Sequence, residues 1–280
     1  MRTWQIVALT ASLLAGPSPS YPVPGGQDIA ARRGRPELET HFAAVDAGGR
    51  LHPYRVFFPA KYGFAPAKVG GAVTAFPLVV ACHPGGGDEH SYFEWKGNAD
   101  RIQTIAEERG YIVACPAGPE NNWHRMDAQS EFGVVCKDEA PVVIMKVVEE
   151  LIRQRHVDET RIYLMGASSG AFATYATAAR NPGIFAAIAG VCGGFEKALA
   201  PGLAKTPALM FNAVKDRRIL IDKVRESAAA LKAAGGVLKV VETPGGHGGY
   251  RDRPTYELLF DWFDAHRLPA KKSRPAEREP

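Results

Sequence analysis

The chain has 280 residues, 46% of them hydrophobic and 23% charged, with a formal net charge of +4 at neutral pH. That length supports one sizeable core in a single α/β domain; Arg2 and the basic excess of the last ten residues account for most of the charge, leaving a near-neutral body. Such a body has no field to hold nucleic acid, and no stretch approaches the roughly 20 apolar residues of a membrane-spanning helix, so neither nucleic acid nor membrane is an expected partner.

The basic start at Arg2, the apolar run Trp4 to Leu14 and the small residues after it have the pattern of a secretory signal peptide over 1–20. This predicts a secreted or periplasmic protein. Residues 21–40, with Arg32, Arg33 and Arg35, read as a flexible leader, and 41–268 as the α/β domain. Residues 269–280 read as a disordered tail, because their prolines and charges offer little apolar surface to bury. In an exported chain the four cysteines, Cys82, Cys115, Cys136 and Cys192, permit two disulfides in any of three pairings. Cys136 with Cys192, both in predicted loops, is the preferred bridge. No C-x-x-C pair is present, which disfavours zinc and thioredoxin-like chemistry.

In the domain, Leu51 to Pro59 reads as an early strand near a sheet edge, and the continuous apolar run Pro77 to Cys82 as a central parallel strand buried on both faces. Ala99 to Arg109 has helical character, Gly110 ends it, and Tyr111 to Cys115 is the next buried strand. A long loop, Pro116 to Lys137, follows. Pro141 to Arg155 is a helix whose Val142, Met145, Val148, Leu151 and Ile152 are spaced to face the sheet. Further strands are expected at Ile162 to Met165, Ile184 to Val191, Ala208 to Phe211 and Val237 to Val241, with helices at Ala171 to Arg180, Ile219 to Ala234 and Pro254 to His266. Strands alternating with helices predict a doubly wound, mostly parallel sheet covered on both faces.

The organising stretch is Gly166-Ala167-Ser168-Ser169-Gly170, a tight turn of small residues between a strand and a helix. A serine forced into such a turn projects its hydroxyl above the sheet, which is what a nucleophile requires. The five-residue motif centres on Ser168; Ser169 is the local rival, and is better placed to offer its backbone N–H. Two later strands end in loops carrying Asp216 and His247, and the order Ser168, Asp216, His247 is that of a nucleophile, acid and base in open α/β sheets. Asp222 is the alternative acid, and His266, in the terminal helix, reads as structural. The turn His83-Pro84-Gly85-Gly86-Gly87 after a buried strand is the expected oxyanion hole, with Gly85, Gly86 and Gly87 as donors beside Ser169 because Pro84 lacks an N–H. Trp123, in the long loop, is a candidate wall for the substrate, and His83 a candidate contact to it. His83, Asp88, Glu89 and His90 can be drawn as metal ligands, but the serine motif already accounts for that loop and no metal or cofactor is expected.

These residues resemble those of the exported α/β-hydrolases related to polyhydroxybutyrate depolymerases and to feruloyl and acetylxylan esterases. The resemblance runs from Pro53 to Arg267. It rests on the H-P-G-G-G turn at His83, Cys115-Pro116-Ala117-Gly118 with Trp123 beyond it, Val157-Asp158 leading to the serine motif, Asp216, and Gly246-His247. It implies an α/β-hydrolase fold and cofactor-free hydrolysis of carboxylic esters, with a peptidase on the same fold, or a noncatalytic binding protein, as the alternatives. Three details depart from the usual pattern: Pro84 follows the histidine, the serine motif reads A-S-S, and the acid loop reads K-D-R-R. They leave the acyl and alcohol groups open.

Overall fold

The computed structural model describes residues 39–62, 68–69, 72–73, 75–94, 102–248 and 252–270, all within one compact unit. The predicted signal peptide, nearly all of the leader and most of the tail lie outside the described residues.

An eight-stranded sheet forms the centre of the molecule: β1 (Thr40–Ala47), β2 (Arg50–Phe57), β3 (Phe76–Cys82), β4 (Ile112–Pro116), β5 (Val157–Ala167), β6 (Ala187–Val191), β7 (Ala208–Ala213) and β8 (Leu238–Thr243), in spatial order β1-β2-β4-β3-β5-β6-β7-β8. β1 and β2 form an antiparallel hairpin, β2 meets β4 antiparallel, and the pairs from β4 to β8 are parallel. The parallel strands are buried on both faces, which is why β3, Phe-Pro-Leu-Val-Val-Ala-Cys, is apolar at every position but its proline. Its side chains alternate between two cores: Leu78, Val80 and Cys82 enter one, Val79 and Ala81 the other.

Helices α2 (Glu139–Gln154), α3 (Ser169–Arg180) and α4 (Ile221–Ala233) cover the first face, while α1 (Ile102–Arg109) and α5 (Arg253–Asp264) cover the second. In α2 the buried side chains are Ala140, Pro141, Val143, Ile144, Val147, Val148 and Leu151, and apart from Pro141 in the first turn they follow the spacing of one helical face. Val142, expected on that face, points to solvent at 49% exposure; the stripe is rotated so that Val143 and Val147 take the sheet side. α5 is started by Asp252, whose carboxylate accepts from Thr255 N–H at 3.0 Å. Its Tyr256, Leu259, Phe260 and Phe263 are buried, each worth about 1.5–3 kcal/mol against exposure, and Phe263 stacks on Tyr163 with ring centres 4.9 Å apart. The second face of β5 is closed in this way.

Two elements were not legible in the pattern. β1 is half-exposed and lacks a continuous apolar run, and the long loop after β4 holds a short hairpin, His124–Met126 paired with Val134–Cys136. Among the described residues no helix is long and apolar enough to cross a membrane.

The register places the site. Cys82 pairs with Gly166, Val191 with Ala167 and with Phe211, and Ala213 with Thr243, so the loops after β3, β5, β6, β7 and β8 leave the same edge of the sheet. The order reverses at β3, and this carboxyl edge is where open α/β sheets hold ligands.

Candidate active site

Ser168 sits at the junction of β5 and α3 with φ 53° and ψ −115°, a conformation that costs a non-glycine residue on the order of 1–3 kcal/mol. Two backbone bonds hold it there. Ser168 N–H donates to Val191 O at 2.8 Å, and Ala171 N–H donates to Ser168 O at 2.9 Å. The flanking glycines are required by close approach: a Cβ on Gly166 would stand 2.2 Å from Gly170 O, and one on Gly170 would stand 2.0 Å from Cys82 O. Strand, turn and helix therefore close on each other only with glycine at both positions. Cys192, at the end of β6, shares the strained φ region at 50°, as do Glu120 and Asn121 in the loop after β4.

His247 Nε2 lies 3.0 Å from Ser168 Oγ, and His247 Nδ1 lies 2.7 Å from Asp216 Oδ2. The Asp216 side chain is fully buried and its other oxygen accepts from Arg218 N–H at 2.8 Å and Ile219 N–H at 3.0 Å. An acceptor-only carboxylate that takes these donors fixes Nδ1 of the ring as the protonated nitrogen and leaves Nε2 to accept from the serine hydroxyl. Ser168, Asp216 and His247, drawn from three separate loops, are thus brought together as the spacing predicted. Asp222 is not part of the arrangement; its exposed carboxylate pairs with Arg225 at 3.0 Å. His266 lies away from the triad in the turn after α5, its Nδ1 2.7 Å from Trp262 O.

Ser169 is occupied elsewhere. Its hydroxyl donates to Asn122 Oδ1 at 2.8 Å and accepts from Trp123 N–H at 3.0 Å, and His124 Nδ1 is 2.7 Å away. With one proton and two lone pairs, that hydroxyl is saturated, and His124 must supply an N–H. Burial first, and the Lys137 charge second, hold His124 below the usual histidine range. Nothing in the spacing of Asn122 and His124 links them to a serine 45 to 47 residues further on, so the sequence alone does not reveal these partners.

The glycine turn is narrower as a donor set than expected. Gly86 N–H donates to Asn121 O at 2.9 Å and Gly87 N–H to Pro84 O at 3.0 Å, so both are spent in holding the turn. Gly85 N–H and Ser169 N–H have no partner among the described residues, and a Cβ on Gly85 would lie 3.6 Å from Ser169 Cβ, so the two residues face each other. Of the expected donors, Gly86 and Gly87 are engaged in holding the turn, and the N–H groups of Gly85 and Ser169 are the ones left free among the described residues.

His83 and Trp123 are corrected as well. His83 is fully buried, with Nδ1 2.8 Å from Pro84 O and Nε2 accepting from Gly118 N–H at 2.8 Å; its ring lies against Trp123 with centres 5.1 Å apart. Burial pushes its pKa down to about 4, the Pro84 carbonyl and Asp88 opposing only in part. Trp123 is also fully buried. Neither side chain can touch a substrate; together they fasten the loop after β4 to the glycine turn. The four-ligand set with His83 does not form, since both ring nitrogens of His83 are engaged. Asp88, Glu89 and His90 bring ligand atoms within 4.8 Å of one another, as do Cys192, Asp216 and His247, but in the second group carboxylate and imidazole already bind each other.

All four cysteines are free thiols. The expected Cys136–Cys192 bridge is not formed: Cys136 packs against the core of one sheet face and Cys192 belongs to the core of the other, where its Sγ lies 3.8 Å from Gly248 O.

A mostly parallel eight-stranded sheet with serine, acid and histidine at its carboxyl edge defines an α/β-hydrolase fold. The model of the esterase PHB depolymerase family matches residues 62–224, and the chain belongs to that family. It is 30% identical over 148 residues to a feruloyl esterase B of Neurospora crassa, covering 52% of this chain and 48% of that one. To a poly(3-hydroxyalkanoate) depolymerase C of Paucimonas lemoignei it is 29% identical over 147 residues, covering 47% and 34%. The chain thus spans about half, or less, of the length of these curated relatives. Among solved structures, a thermostable esterase superposes with a TM-score of 0.65 at 22% identity over 82% of this chain and 63% of the other, a likeness of fold.

Proposed function

We infer that this protein is a carboxylic ester hydrolase that works through a serine acyl-enzyme. The observation that carries the reading is the unbroken line from Asp216 Oδ2 through His247 to Ser168 Oγ, at 2.7 and 3.0 Å. Ser168 Oγ attacks the ester carbonyl carbon while its proton passes to His247 Nε2. The carbonyl oxygen takes up the electron pair of the broken π bond, held by the N–H groups of Gly85 and Ser169. Collapse of this intermediate expels the alcohol, which leaves with the proton from His247. Water then repeats the sequence on the acyl-enzyme, releasing the acid and restoring Ser168. Asp216 accepts from Nδ1 and stabilises the imidazole when it takes the serine proton.

No step requires a metal or cofactor. The names of the relatives support feruloyl or acetylated polysaccharide esters, or hydroxyalkanoate polyesters, as the substrate class. Export is part of the same reading and rests on the sequence pattern of residues 1–20. N-terminal sequencing of the natural product should find a start between about Gly16 and Gly26, the usual signal length being about 15 to 30 residues; an intact Met1 would refute export.

The test of the activity is a matched pair of substrates, an aryl acetate and a peptide anilide, assayed with a chelator present. Hydrolysis of the ester with labelling of Ser168 by a serine-directed organophosphonate supports the reading. Preference for the anilide would make the protein a peptidase, and loss of activity to the chelator would exclude the serine mechanism.

A further inference from the structure

The acid loop carries a feature the triad does not use. Lys215, Arg217 and Arg218 surround buried Asp216, and all three are exposed. Elsewhere most arginines of the described residues rest on a carboxylate: Arg109 on Asp264, Arg253 on Glu108, Arg161 and Arg267 on Asp158. The acids nearest in sequence or in the adjoining strand are used up in the same manner, since Asp222 and Glu242 both pair with Arg225. Asp252 caps α5. No carboxylate among the described residues lies in ion-pair distance of Lys215, Arg217 or Arg218, and Asp216 itself is filled by His247 and by two backbone donors.

The loop is also fixed in place. Val214 N–H donates to Thr243 O at 2.8 Å and Lys215 N–H to Gly245 O at 3.0 Å, tying it to the loop that holds His247, while Arg218 N–H is bonded to the triad acid. The stems of Arg217 and Arg218 therefore start from backbone that wraps the triad carboxylate. Exposed charges such as these are screened over a Debye length of roughly 10 Å at 0.1 M salt. On the same loop Val214 is 39% and Leu220 57% exposed, so the cations stand beside apolar surface.

We propose that Arg217 and Arg218 select esters whose acyl or alcohol part carries a carboxylate, which they receive in the place an internal ion-pair partner would take. The proposal rests on the esterase reading of the triad. Arginine suits the role because its planar fork accepts a carboxylate through two parallel hydrogen bonds and stays charged at every working pH. Neither residue touches the reacting atoms, so they act on binding of the substrate and leave the chemical step alone.

The test compares 4-acetoxybenzoate with its neutral counterpart 4-acetoxybenzamide, on the wild type and on the Arg217→Gln, Arg218→Gln double variant. The expected result is a KM for the benzoate that rises about tenfold in the double variant with kcat unchanged, while both constants for the benzamide stay within about twofold. The wild-type preference should shrink between 50 and 500 mM salt, as exposed charges are screened. A second arm needs no turnover: 4-hydroxybenzoate is titrated calorimetrically into the Ser168→Ala protein with and without the two arginines, and its affinity should fall by a similar factor. Equal changes for the charged and neutral esters, or no change in either arm, overturn the proposal. If the wild type hydrolyses neither ester, the esterase reading fails, and the binding arm still decides whether the arginines recognise a carboxylate.

Discussion

Ser168 and Ser169 are consecutive, yet their hydroxyls belong to different networks: Ser168 Oγ lies 3.0 Å from His247 Nε2, and Ser169 Oγ donates to Asn122 Oδ1 at 2.8 Å. The positive φ of Ser168 turns one hydroxyl toward the histidine, while the first turn of α3 aims the next at the loop after β4. Replacing Ser168 by alanine should lower turnover on an aryl acetate by several orders of magnitude, with melting within a few degrees of the wild type. Ser169→Ala should keep the triad and a measurable rate but lose about 1–3 kcal/mol of stability, because buried groups of Asn122 and Trp123 lose their partner. Steady-state kinetics and denaturant unfolding check both. Wild-type activity in Ser168→Ala would remove it as the nucleophile.

Asp216→Asn tests the orienting role of the acid. The amide cannot accept from Nδ1 with the strength of a carboxylate, and it admits the wrong ring tautomer, so kcat should fall by about 10³–10⁴ at neutral pH. Asp222→Asn, on an exposed carboxylate paired with Arg225, should leave kcat within about twofold, surface pairs of this kind being worth about 0–1 kcal/mol.

His83 predicts a pH dependence of stability. Its folded pKa is lowered to about 4 by burial, against 6.5 for the free side chain. Between those values the unfolded chain binds the proton and the folded chain does not, so the contribution is present above pH 6.5 and is lost as pH falls toward 4. It amounts to about 3 kcal/mol. Protonation would also set an Nε2 hydrogen against Gly118 N–H, which now donates to that nitrogen. Urea unfolding at pH 7 and pH 4.5 should show this loss, reduced in His83→Gln; an equal loss in that variant would assign it to other groups.

Gly170→Ala should be among the most damaging single changes. The added Cβ would stand 2.0 Å from the carbonyl oxygen of Cys82, a backbone atom that moves only with the strand. A loss above about 4 kcal/mol is expected, beyond the range of ordinary substitutions. Soluble expression and thermal melting are the readouts, and a melting point near that of the wild type would contradict the close packing of α3 on β3.

The thiols can be counted directly. With Cys136 and Cys192 on opposite faces of the sheet, denaturation without reductant followed by alkylation should modify all four cysteines. Intact mass gives the number, and any pair that resists would indicate a bridge.

The sequence by itself determined the chain of parallel strands and singled out Ser168, Asp216 and His247, the three side chains that the structure joins by hydrogen bonds. Both are written in local pattern: continuous apolar runs such as Leu78 to Cys82 mark strands buried on two faces, and the glycines around Ser168 mark a turn only small residues can close. The order Ser168, Asp216, His247 followed from which strands the loops end. Tertiary structure alone decided what each backbone N–H and buried ring is free to do. Gly85, Gly86 and Gly87 are identical in sequence, but Asn121 O and Pro84 O claim two of them and leave Gly85. His83 and Trp123 look like exposed loop residues until the loop after β4, which carries Trp123, packs on the glycine turn, and Cys136 and Cys192 do not pair because they belong to cores on opposite faces of the sheet. The physical reason is common to all of these: hydrogen-bond partners and solvent access depend on segments distant in the chain, which local residue patterns do not encode.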